Sequence, residues 1–585
     1  MRYDASPELI GFLHAPLANR DALTAPGNGK LRWQTRLLYK VPALRRFIST
    51  DQACLLLGDL LKRAFSDIEH SLHLFLREDH GPVTRDTVNG YVRTLAQYFQ
   101  INLDPGPSSG QAREDWQFVE NIVGGQFFAK LEHTCNRVTE SLKLNHTHQR
   151  SILEHPRLWV AYYLSEVYFL MRLGLMEAHF QGRALRITPS STLWASLKSH
   201  WLSEIFESSS RNTDRYALAD PAKVLAQHGY LTSTDREAFV DYLLDKCLSI
   251  HPDYLSAKVK AHPNYALMRS VVYFAAHVEM KVMAEHRTVS RAELSRYIDR
   301  AHLDVIDSIL AARREPTLDS PTCFVRRSGD RYERGEVYFK YGLKLLLGAL
   351  PRNIPGAGKQ GDFGDLLGKY FERDYLKNYL RKIGHSRWET HGEFTPGNNA
   401  KIQGYDIDLV LHDRQHDQYY FIQVKYSLAK LPIYLAEQCD FFMNASFQKG
   451  VLRQLLILKD NLDDESIRKK LNQHGLHGAT RENSHFILLH NMPFLNFHQY
   501  RGVTFYEWNL FRNIMQDGKV HRVKDGVASQ ARLFATPRLE QPDRIVDAFF
   551  SAEGDPQRLK EQYAVYRDSY AHFTFEGLEV ACKLI

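Results

Sequence analysis

The sequence predicts a multidomain protein in which a large all-α N-terminal region is followed by an α/β domain with a mixed central sheet flanked by helices. Three observations lead to this expectation. The chain has 585 residues, which is too long for a single hydrophobic core. Residues 30 to about 350 place apolar side chains three and four positions apart, as amphipathic helices do. After Pro351 the apolar residues alternate instead, which is typical of strands.

Three segments of the N-terminal region carry the helical spacing most clearly. They are DQACLLLGDLLKRAFSDIEHSLHLFLRE, HPRLWVAYYLSEVYFLMRLGLMEAHF and AELSRYIDRAHLDVIDSILAARRE. Asp51 and Ser290 are suited to cap helices, because short polar side chains accept hydrogen bonds from the first amides of a helix. We therefore expect residues 1–350 to form a helical regulatory or recognition region.

A glycine-rich connector, RNIPGAGKQGDFG, follows Pro351 and lacks hydrophobic periodicity, so we place a domain boundary there. Five strand-like runs follow it: RWETHGEF, YDIDLVLH, YYFIQVKYS, HFILLHNM and GVTFYEW. They alternate with helical stretches at 365–383, about 433–460 and 508–516. The predicted divisions are 1–350, 351–520 and a C-terminal helical segment at 521–585, with helices near 540–550 and 555–570.

Composition favours a cytoplasmic protein without a membrane segment. The six cysteines form no C-x-x-C pair, which argues against a zinc finger or a disulfide framework and fits reduced thiols. The start of the chain, MRYDASPELIGF, lacks the pattern of a signal peptide. No apolar run reaches the 18 residues expected of a membrane helix. The net charge of +7 permits a polyanionic partner but does not identify one.

Chemically interesting residues concentrate in one predicted hairpin, GYDIDLVLHDRQHDQYYFIQVKYS at 404–427. Side chains of a strand alternate between its two faces. If the apolar residues of both strands face one core, then Asp408, Gln423 and Lys425 converge on the opposite face. The sequence leaves the cross-strand register open, and Asp406 remains an alternative to Asp408.

This set of side chains suits metal-assisted phosphodiester hydrolysis. Carboxylate, amide and backbone carbonyl oxygens are the hard ligands that Mg²⁺ prefers. A lysine two residues beyond the amide can orient a water molecule or stabilise charge on a phosphate. The hairpin therefore predicts a metal and phosphate site on one face of the sheet.

The same residues resemble the PD-(D/E)XK nuclease superfamily, which has the restriction-endonuclease-like fold. More narrowly, they are similar to the branch whose motif reads Q-x-K, seen among restriction endonucleases that target modified DNA. In that family a helix with a G-x-x-F-E-like motif precedes the strands, and GKYFERDYLKNYLRKIG at 368–384 matches it in place and order. The resemblance covers about 362–516. It matches Glu372 to the helix acid, Asp408 to the metal-binding acid, and Gln423 and Lys425 to the last two motif positions.

The resemblance implies an endonuclease that needs Mg²⁺, with Mn²⁺ as the alternative, and that acts on DNA in preference to RNA. It implies metal ligation by Asp408, Gln423, the carbonyl of Val424 and, directly or through water, Glu372. Lys425 would orient the attacking water. Gln423 departs from the more common Glu or Asp and removes one negative charge from the metal site. Lesser candidates for an extra metal ligand are Glu389 and Glu393, and the candidates for phosphate contacts are Arg381, Lys382, His385, Arg387, Lys449 and Gln454.

A nuclease joined to a helical sensing region resembles prokaryotic restriction or anti-phage defence proteins. This architecture implies a homodimer or larger oligomer and a partner protein of the same defence system. Two alternatives remain open at this point. The nuclease-like fold could be catalytically inactive and bind nucleic acid or a protein partner, or it could be a vestigial part of a helical scaffold. A requirement for a divalent metal and salt-dependent binding of nucleic acid would distinguish these functions.

Overall fold

The structure is a computed structural model. It describes residues 7–23, 29–75, 156–194, 197, 211–284, 288–313, 323–335, 339–352, 361–383, 386–426, 428, 452–491, 496–515, 519–524, 527–532, 538–550, 564, 567–568 and 570–583. The chain forms two compact units. One comprises Met1–Ala195, Pro432–Ala445 and Glu553–Ile585, and the other comprises Ser196–Leu431 and Ser446–Ala552. The predicted division into 1–350, 351–520 and 521–585 stays a prediction.

The α-helices are numbered in chain order. They are α1 Pro7–His14, α2 Gly29–Lys40, α3 Thr50–Phe75, α4 Pro156–Arg172, α5 Arg211–His228, α6 Ser233–Leu248, α7 Ala257–Lys260, α8 Pro263–Met283, α9 Arg291–Leu294, α10 Arg300–Arg313, α11 Phe339–Gly348, α12 Phe363–Tyr370, α13 Leu376–Ile383, α14 Arg453–Asp460, α15 Glu465–Gln473, α16 Trp508–Met515 and α17 Pro542–Phe550. A π-helical turn, Phe371–Tyr375, joins α12 to α13. Short 3₁₀ helices lie at Arg20–Leu23, Pro42–Phe47 and Pro252–Tyr254.

The strands form sheets of six, four, three and two strands within the described residues. They are β1 Met176–Gln181, β2 Ala184–Pro189, β3 Thr288–Ser290, β4 Val325–Ser328, β5 Arg331–Arg334, β6 Trp388–His391, β7 Leu409–Asp413, β8 Gln418–Lys425, β9 Ser484–His490, β10 Gln499–Tyr500, β11 Val503–Glu507, β12 Lys519–Lys524, β13 Val527–Arg532, β14 Tyr570–Phe575 and β15 Leu578–Lys583. The sheet orders are β10-β11-β9-β8-β7-β6, β1-β2-β15-β14, β3-β5-β4 and β12-β13.

In the first unit, α3 packs against α4 through edge-on aromatic contacts. Phe65 meets Tyr162 with ring centroids 5.8 Å apart, and Phe12 of α1 meets Tyr168 at 5.9 Å. The four-stranded sheet is mixed, because β1 and β14 pair antiparallel to β2 and β15, while β2 and β15 run parallel to each other. These aromatic side chains are buried, so burial of apolar surface is the main source of stability in this unit.

In the second unit, the six-stranded sheet is mixed and carries the predicted hairpin at its centre. The strand pairs β8–β9 and β9–β11 are parallel, whereas β6–β7 and β7–β8 are antiparallel. Residues 419–424 of β8 are buried on both faces, as expected for a central strand covered on both sides. The helices at 363–383 and 508–515 and the five strands expected after Pro351 are therefore confirmed. The α/β character with a mixed sheet is confirmed with them.

The predicted all-α character of residues 1–350 is wrong, because the described residues of this region contain β1 to β5. The segment predicted as helical, HPRLWVAYYLSEVYFLMRLGLMEAHF, includes MEAHF, yet these residues belong to β1, whose side chains alternate between buried and exposed. Gly182, with φ of +65°, then permits the tight turn into β2. Within the run AELSRYIDRAHLDVIDSILAARRE, the helix is also interrupted between α9 and α10.

The predicted helical character of residues 521–585 is correct only in part. The helix near 540–550 is present as α17, and the one near 555–570 lies almost wholly outside the described residues, but four strands, β12 to β15, occupy much of the rest of the described segment. Residues Glu576 and Gly577 both have positive φ, at 51° and 77°, which is the geometry of a two-residue hairpin turn. In YAHFTF, on one side of this turn, every second residue is buried. The corresponding alternation of apolar residues in the sequence is the signal that the helical prediction overlooked.

The two predicted helix caps have different outcomes. Ser290 caps α9, because its side chain accepts a hydrogen bond of 3.0 Å from the amide of Glu293. Asp51 is not the cap of α3: the helix begins at Thr50, and Ser49 exchanges reciprocal hydrogen bonds with Gln52. This Ser-x-x-Gln arrangement satisfies two backbone amides at once. Among the described helices, none is both long enough and apolar enough to cross a membrane.

Candidate functional site

Glu372 lies in the π-helical turn between α12 and α13. Asp362 begins this helical segment by accepting a hydrogen bond of 2.9 Å from the amide of Gly364. A π turn inserts an extra residue into the helix, which changes the direction of the side chains within it and often occurs at functional sites. The turn therefore gives Glu372 an orientation that the sequence pattern did not predict.

An aromatic cluster holds this helix against the end of β8. The ring of Phe371 stacks on Tyr375 at 4.5 Å and lies 4.6 Å from the ring of Tyr426, which directly follows β8. Trp508, the first residue of α16, is fully buried and meets Phe371 edge-on at 5.5 Å. The hydroxyl of Tyr426 donates to the carbonyl of Leu248 at 3.0 Å. These contacts fix the position of Glu372 relative to Lys425.

The paired ladder of the hairpin begins at Leu409, one residue after Asp408. Leu409 pairs with Ile422, and the amide of Asp408 donates to the carbonyl of Ile422 at 3.1 Å. Residues directly opposite each other in an antiparallel pair share a face of the sheet. The register that the sequence left open is therefore known for Leu409–Asp413, whereas the shared face of Asp408 and Gln423 stays a prediction, because the bond from the Asp408 amide to Ile422 departs from the regular ladder.

The neighbouring strand brings a further acid to this position. The β6–β7 register, in which His391 pairs with Val410, is kept at the bridge between Phe394 and Ile407. By residue count, Glu393 falls across from Asp408, in the stretch where this ladder is interrupted. The Glu393 side chain is 43% exposed and lies 3.9 Å from the ammonium group of Lys377. Of the two lesser metal-ligand candidates, the residue count thus favours Glu393.

Asp408 is a buried carboxyl group with one hydrogen bond from the backbone. It is 7% exposed, and its Oδ2 accepts a hydrogen bond of 2.7 Å from the amide of Val424. Burial raises the pKa of Asp408 to about 8, although the Val424 amide and the charge of Lys425 oppose the shift. Asp406, the alternative to Asp408, is exposed. A bound cation would relieve the cost of ionising Asp408, which makes this carboxyl a suitable ligand.

Gln423 supplies a buried oxygen without a partner. Its side chain is 1% exposed, and within the described part of the chain Oε1 accepts no hydrogen bond. Leaving a buried acceptor unsatisfied costs about 1–3 kcal/mol, so such atoms usually have a ligand or a function. An amide oxygen and the carboxylate of Asp408 are hard ligands that fit Mg²⁺. The residues present therefore fit the metal that the resemblance implies.

Lys425 and Glu372 form an ion pair at the edge of this site. The Lys425 Nζ donates to Glu372 Oε1 at 2.7 Å, and the two side chains are 29% and 23% exposed. Both are therefore accessible to solvent, in contrast to Asp408 and Gln423. His490, the last residue of the parallel strand β9, pairs with Lys425 and is fully buried. Sequence reasoning missed His490, although polar residues at the carboxyl end of an apolar strand are a known signal of a site.

The candidate residues for phosphate contacts differ in their exposure and in their ion pairs. Arg387 is 8% exposed and forms a bidentate ion pair with Asp413 at 2.9 Å and 2.6 Å, so its charge is used within the fold. Lys382 pairs with Asp253 at 3.0 Å, and Arg381 is exposed on α13. Gln454 is half-buried on α14. His385 and Lys449 lie outside the described residues. Arg381 and Lys382 thus remain the candidates that face solvent.

Glu389 lies away from Asp408 and belongs to a different group. Its carboxylate lies close to the imidazoles of His391 and His412, with potential ligand atoms of the three residues within 4.8 Å of one another. Sequence reasoning noticed Glu389 but missed both histidines. The signal was the spacing Glu-x-His on a strand, which places both side chains on one face.

Comparison with known proteins identifies no relative: no family model, no curated protein and no solved structure matches this chain. The functional argument therefore depends on the residues of the site and their geometry.

Proposed function

We propose that this protein is a Mg²⁺-dependent endonuclease of the PD-(D/E)XK type that hydrolyses phosphodiester bonds, in DNA in preference to RNA. The observation that carries the proposal is the pair of buried oxygen donors. The carboxyl group of Asp408 accepts a hydrogen bond from the amide of Val424, the residue between Gln423 and Lys425, and among the described residues Oε1 of Gln423 has no hydrogen-bond partner. A purely structural role would leave the burial of this amide oxygen without compensation.

The proposed metal ligands are Asp408, Gln423, the carbonyl of Val424 and, directly or through water, Glu372. When bound, Mg²⁺ supplies Lewis acidity that offsets negative charge on the scissile phosphate. Mn²⁺ prefers the same oxygen ligands and is the natural substitute. Glu393, which falls across from Asp408 by residue count, would add the negative charge that Gln423 lacks.

Lys425 and Glu372 would assist the reaction beside the metal ion. The Lys425 ammonium group would orient the attacking water and stabilise charge that develops on the phosphate. Glu372 holds that ammonium group at 2.7 Å and so limits the positions it can adopt. The partial exposure of both side chains leaves them accessible to a substrate. Arg381 and Lys382 would contact backbone phosphates, which position a nucleic acid without reading its sequence.

We further propose that the protein acts in prokaryotic restriction or anti-phage defence, as a homodimer or larger oligomer and with a partner protein of the same system. This part rests on the resemblance and on the size of the chain outside the nuclease-like sheet. It is an argument from architecture. A dimer would provide two sites for the two strands of a duplex.

Cleavage assays with a matched lysine control test the proposed activity. The full chain is incubated with DNA and RNA, single- and double-stranded, in Mg²⁺, in Mn²⁺ and in EDTA. We expect metal-dependent cleavage that falls by about 10²–10³-fold in Lys425→Ala, as for loss of a group that stabilises a transition state. Lys369→Ala removes an exposed lysine of α12 and should cleave like the wild type. Cleavage unaffected by Lys425→Ala would refute the site, whereas metal-independent binding without cleavage would favour the inactive nuclease-like fold.

A further inference from the structure

A second group of potential metal ligands lies on the same sheet, at the opposite end of β7. Glu389 and His391 belong to β6, and His412 belongs to β7, where it pairs with Glu389. His412 is four residues beyond Asp408, about 13 Å along an extended chain. All three residues of the group are half-buried, and their ligand atoms lie within 4.8 Å of one another. The group is therefore preassembled and separate from the proposed nuclease site.

Both imidazole rings are held by partners outside the group. His412 Nε2 bonds the Asp417 carboxylate at 3.0 Å, and its Nδ1 lies 3.6 Å from Glu389 Oε2. His391 makes a hydrogen bond with the backbone of His474. This bond favours the protonated imidazole of His391, so the backbone group is the acceptor. Each ring thus uses one nitrogen for an acceptor, the arrangement that orients histidine ligands in metal sites.

The ring of His412 is further fixed by stacking. Tyr419, its cross-strand partner in β8, lies parallel to it with an interplanar angle of 3° and a centroid distance of 4.1 Å. Tyr419 is itself buried at 5% exposure, so its ring cannot move easily. Preorganisation of this kind lowers the entropy lost when a ligand atom must hold one position.

We propose that Glu389, His391 and His412 bind a divalent transition-metal ion, for which Zn²⁺ is the test ion. Two imidazole nitrogens and one carboxylate oxygen suit zinc and its neighbours in the first transition row, whereas Mg²⁺ prefers oxygen ligands throughout. Three protein ligands leave at least one coordination position for water or a substrate. The ion would also link β6, at one end of the sheet order, to β7.

One existing interaction competes for Glu389. Arg414 donates to Glu389 Oε2 at 3.0 Å, but the Arg414 side chain is 57% exposed. Exposed ion pairs contribute little to stability, because water screens them and holding two long side chains costs entropy. Small rotations of the three side chains would bring their ligand atoms to the spacing of about 3.3 Å that zinc–ligand bonds of about 2.1 Å require.

Zinc binding by the full-length protein tests this proposal without reference to nuclease activity. Metal is removed with EDTA, and Zn²⁺ is titrated in competition with a chromophoric chelator. Co²⁺ is then added as a spectroscopic probe. We expect the wild type to bind one ion more than His391→Ala/His412→Ala, and to show visible Co²⁺ absorption that this variant lacks. Asp417→Asn should weaken Zn²⁺ binding by about 10–100-fold, because it alters only the group that orients His412.

Two control variants test whether Zn²⁺ binding depends on these three residues and not on their neighbours. His474→Ala should bind Zn²⁺ like the wild type, because it keeps the backbone group that bonds His391. Asp408→Asn should keep the visible Co²⁺ absorption of the Glu389, His391 and His412 site, so loss of the nuclease proposal would leave this one intact. Glu389→Gln, which preserves side-chain shape, should weaken binding at least tenfold and serves if the double variant does not fold. Equal Zn²⁺ binding by the wild type, the double variant and Glu389→Gln would overturn the proposal.

Discussion

Replacing Asp408 with asparagine removes a buried carboxyl group while keeping its shape. The carbonyl oxygen of the new side chain can still accept the hydrogen bond of 2.7 Å that Val424 donates to Asp408. What changes is the ability to ionise in a site that excludes water. We expect Asp408→Asn to abolish cleavage and, at the same time, to stabilise the metal-free protein.

The size of the stabilisation follows from the pKa of Asp408, which burial raises from the usual 3.8 to about 8. Between these pH values the native state keeps a proton that the unfolded chain has released. The free energy of unfolding of the wild type therefore decreases as the pH rises through this window, by about 1.4 kcal/mol per pH unit from this group. At pH 7 the difference reaches about 4 kcal/mol as an upper limit, and at pH 5 about 1–2 kcal/mol.

Hydrogen exchange of the peptide that contains β8 provides a local measurement, which suits a chain with two compact units. In EDTA, Asp408→Asn should slow exchange relative to the wild type, and the gain should grow from pH 5 to pH 8. Asp406→Asn is the matched control, because Asp406 is exposed only two residues away. Added Mg²⁺ should protect the wild type and have no effect on Asp408→Asn. Equal exchange in both proteins at pH 7 and pH 8 would show that the carboxyl is not held in a costly environment.

Three further substitutions test individual features of the site. Gln423→Glu restores the more common acid and should lower the Mg²⁺ concentration needed for half-maximal cleavage about tenfold; a higher requirement would contradict ligation by Gln423. Glu393→Gln should raise that requirement severalfold at unchanged stability, measured by the same titration, whereas an unchanged titration would remove Glu393 from the site. Arg387→Ala removes the bidentate partner of the buried Asp413, which keeps its bonds to His416 and the Gln415 amide, and should lower the free energy of unfolding by about 1–3 kcal/mol. Its cleavage rate per folded molecule should stay near that of the wild type, and loss of nucleic-acid binding without destabilisation would refute our assignment of Arg387 to the fold.

Local patterns predicted the hairpin well because a strand pair joined by a short turn is determined over a few residues. Alternation predicted two strands joined by a polar turn, and the register of β7 and β8 confirms their pairing from Leu409 to Asp413. The helix with Glu372 was also predictable from apolar spacing, although its π turn was not. Periodicity reports which face is apolar and is insensitive to one extra residue in a turn.

Non-local pairing explains the strands that sequence reasoning missed. β2 pairs with β15, almost 400 residues further along the chain, with Leu185 opposite Val580. Each of these strands belongs to a short hairpin, and an isolated two-stranded hairpin is at best marginally stable in water. Their stability depends on the sheet they form together, so a scan of short windows extended the preceding helix into β1.

Arg387 shows that the partners of charged residues are equally hard to predict from sequence. Its position after the motif helix favoured a phosphate contact, yet Asp413, 26 residues later, forms its buried partner. A sequence shows where the charges are without showing which of them are neutralised by distant residues.

By itself, the sequence determined the identity of the polar residues and the strand faces they share, because alternation is a property of the extended backbone. Only the tertiary structure decided what those residues can do. It buried the oxygen of Gln423 without a partner among the described residues, raised the pKa of Asp408, and brought Lys425 to Glu372 across 53 positions of the chain. It also grouped Glu389 with two histidines. Burial and charge pairing depend on every segment packed around a residue, and these segments come from distant parts of the chain.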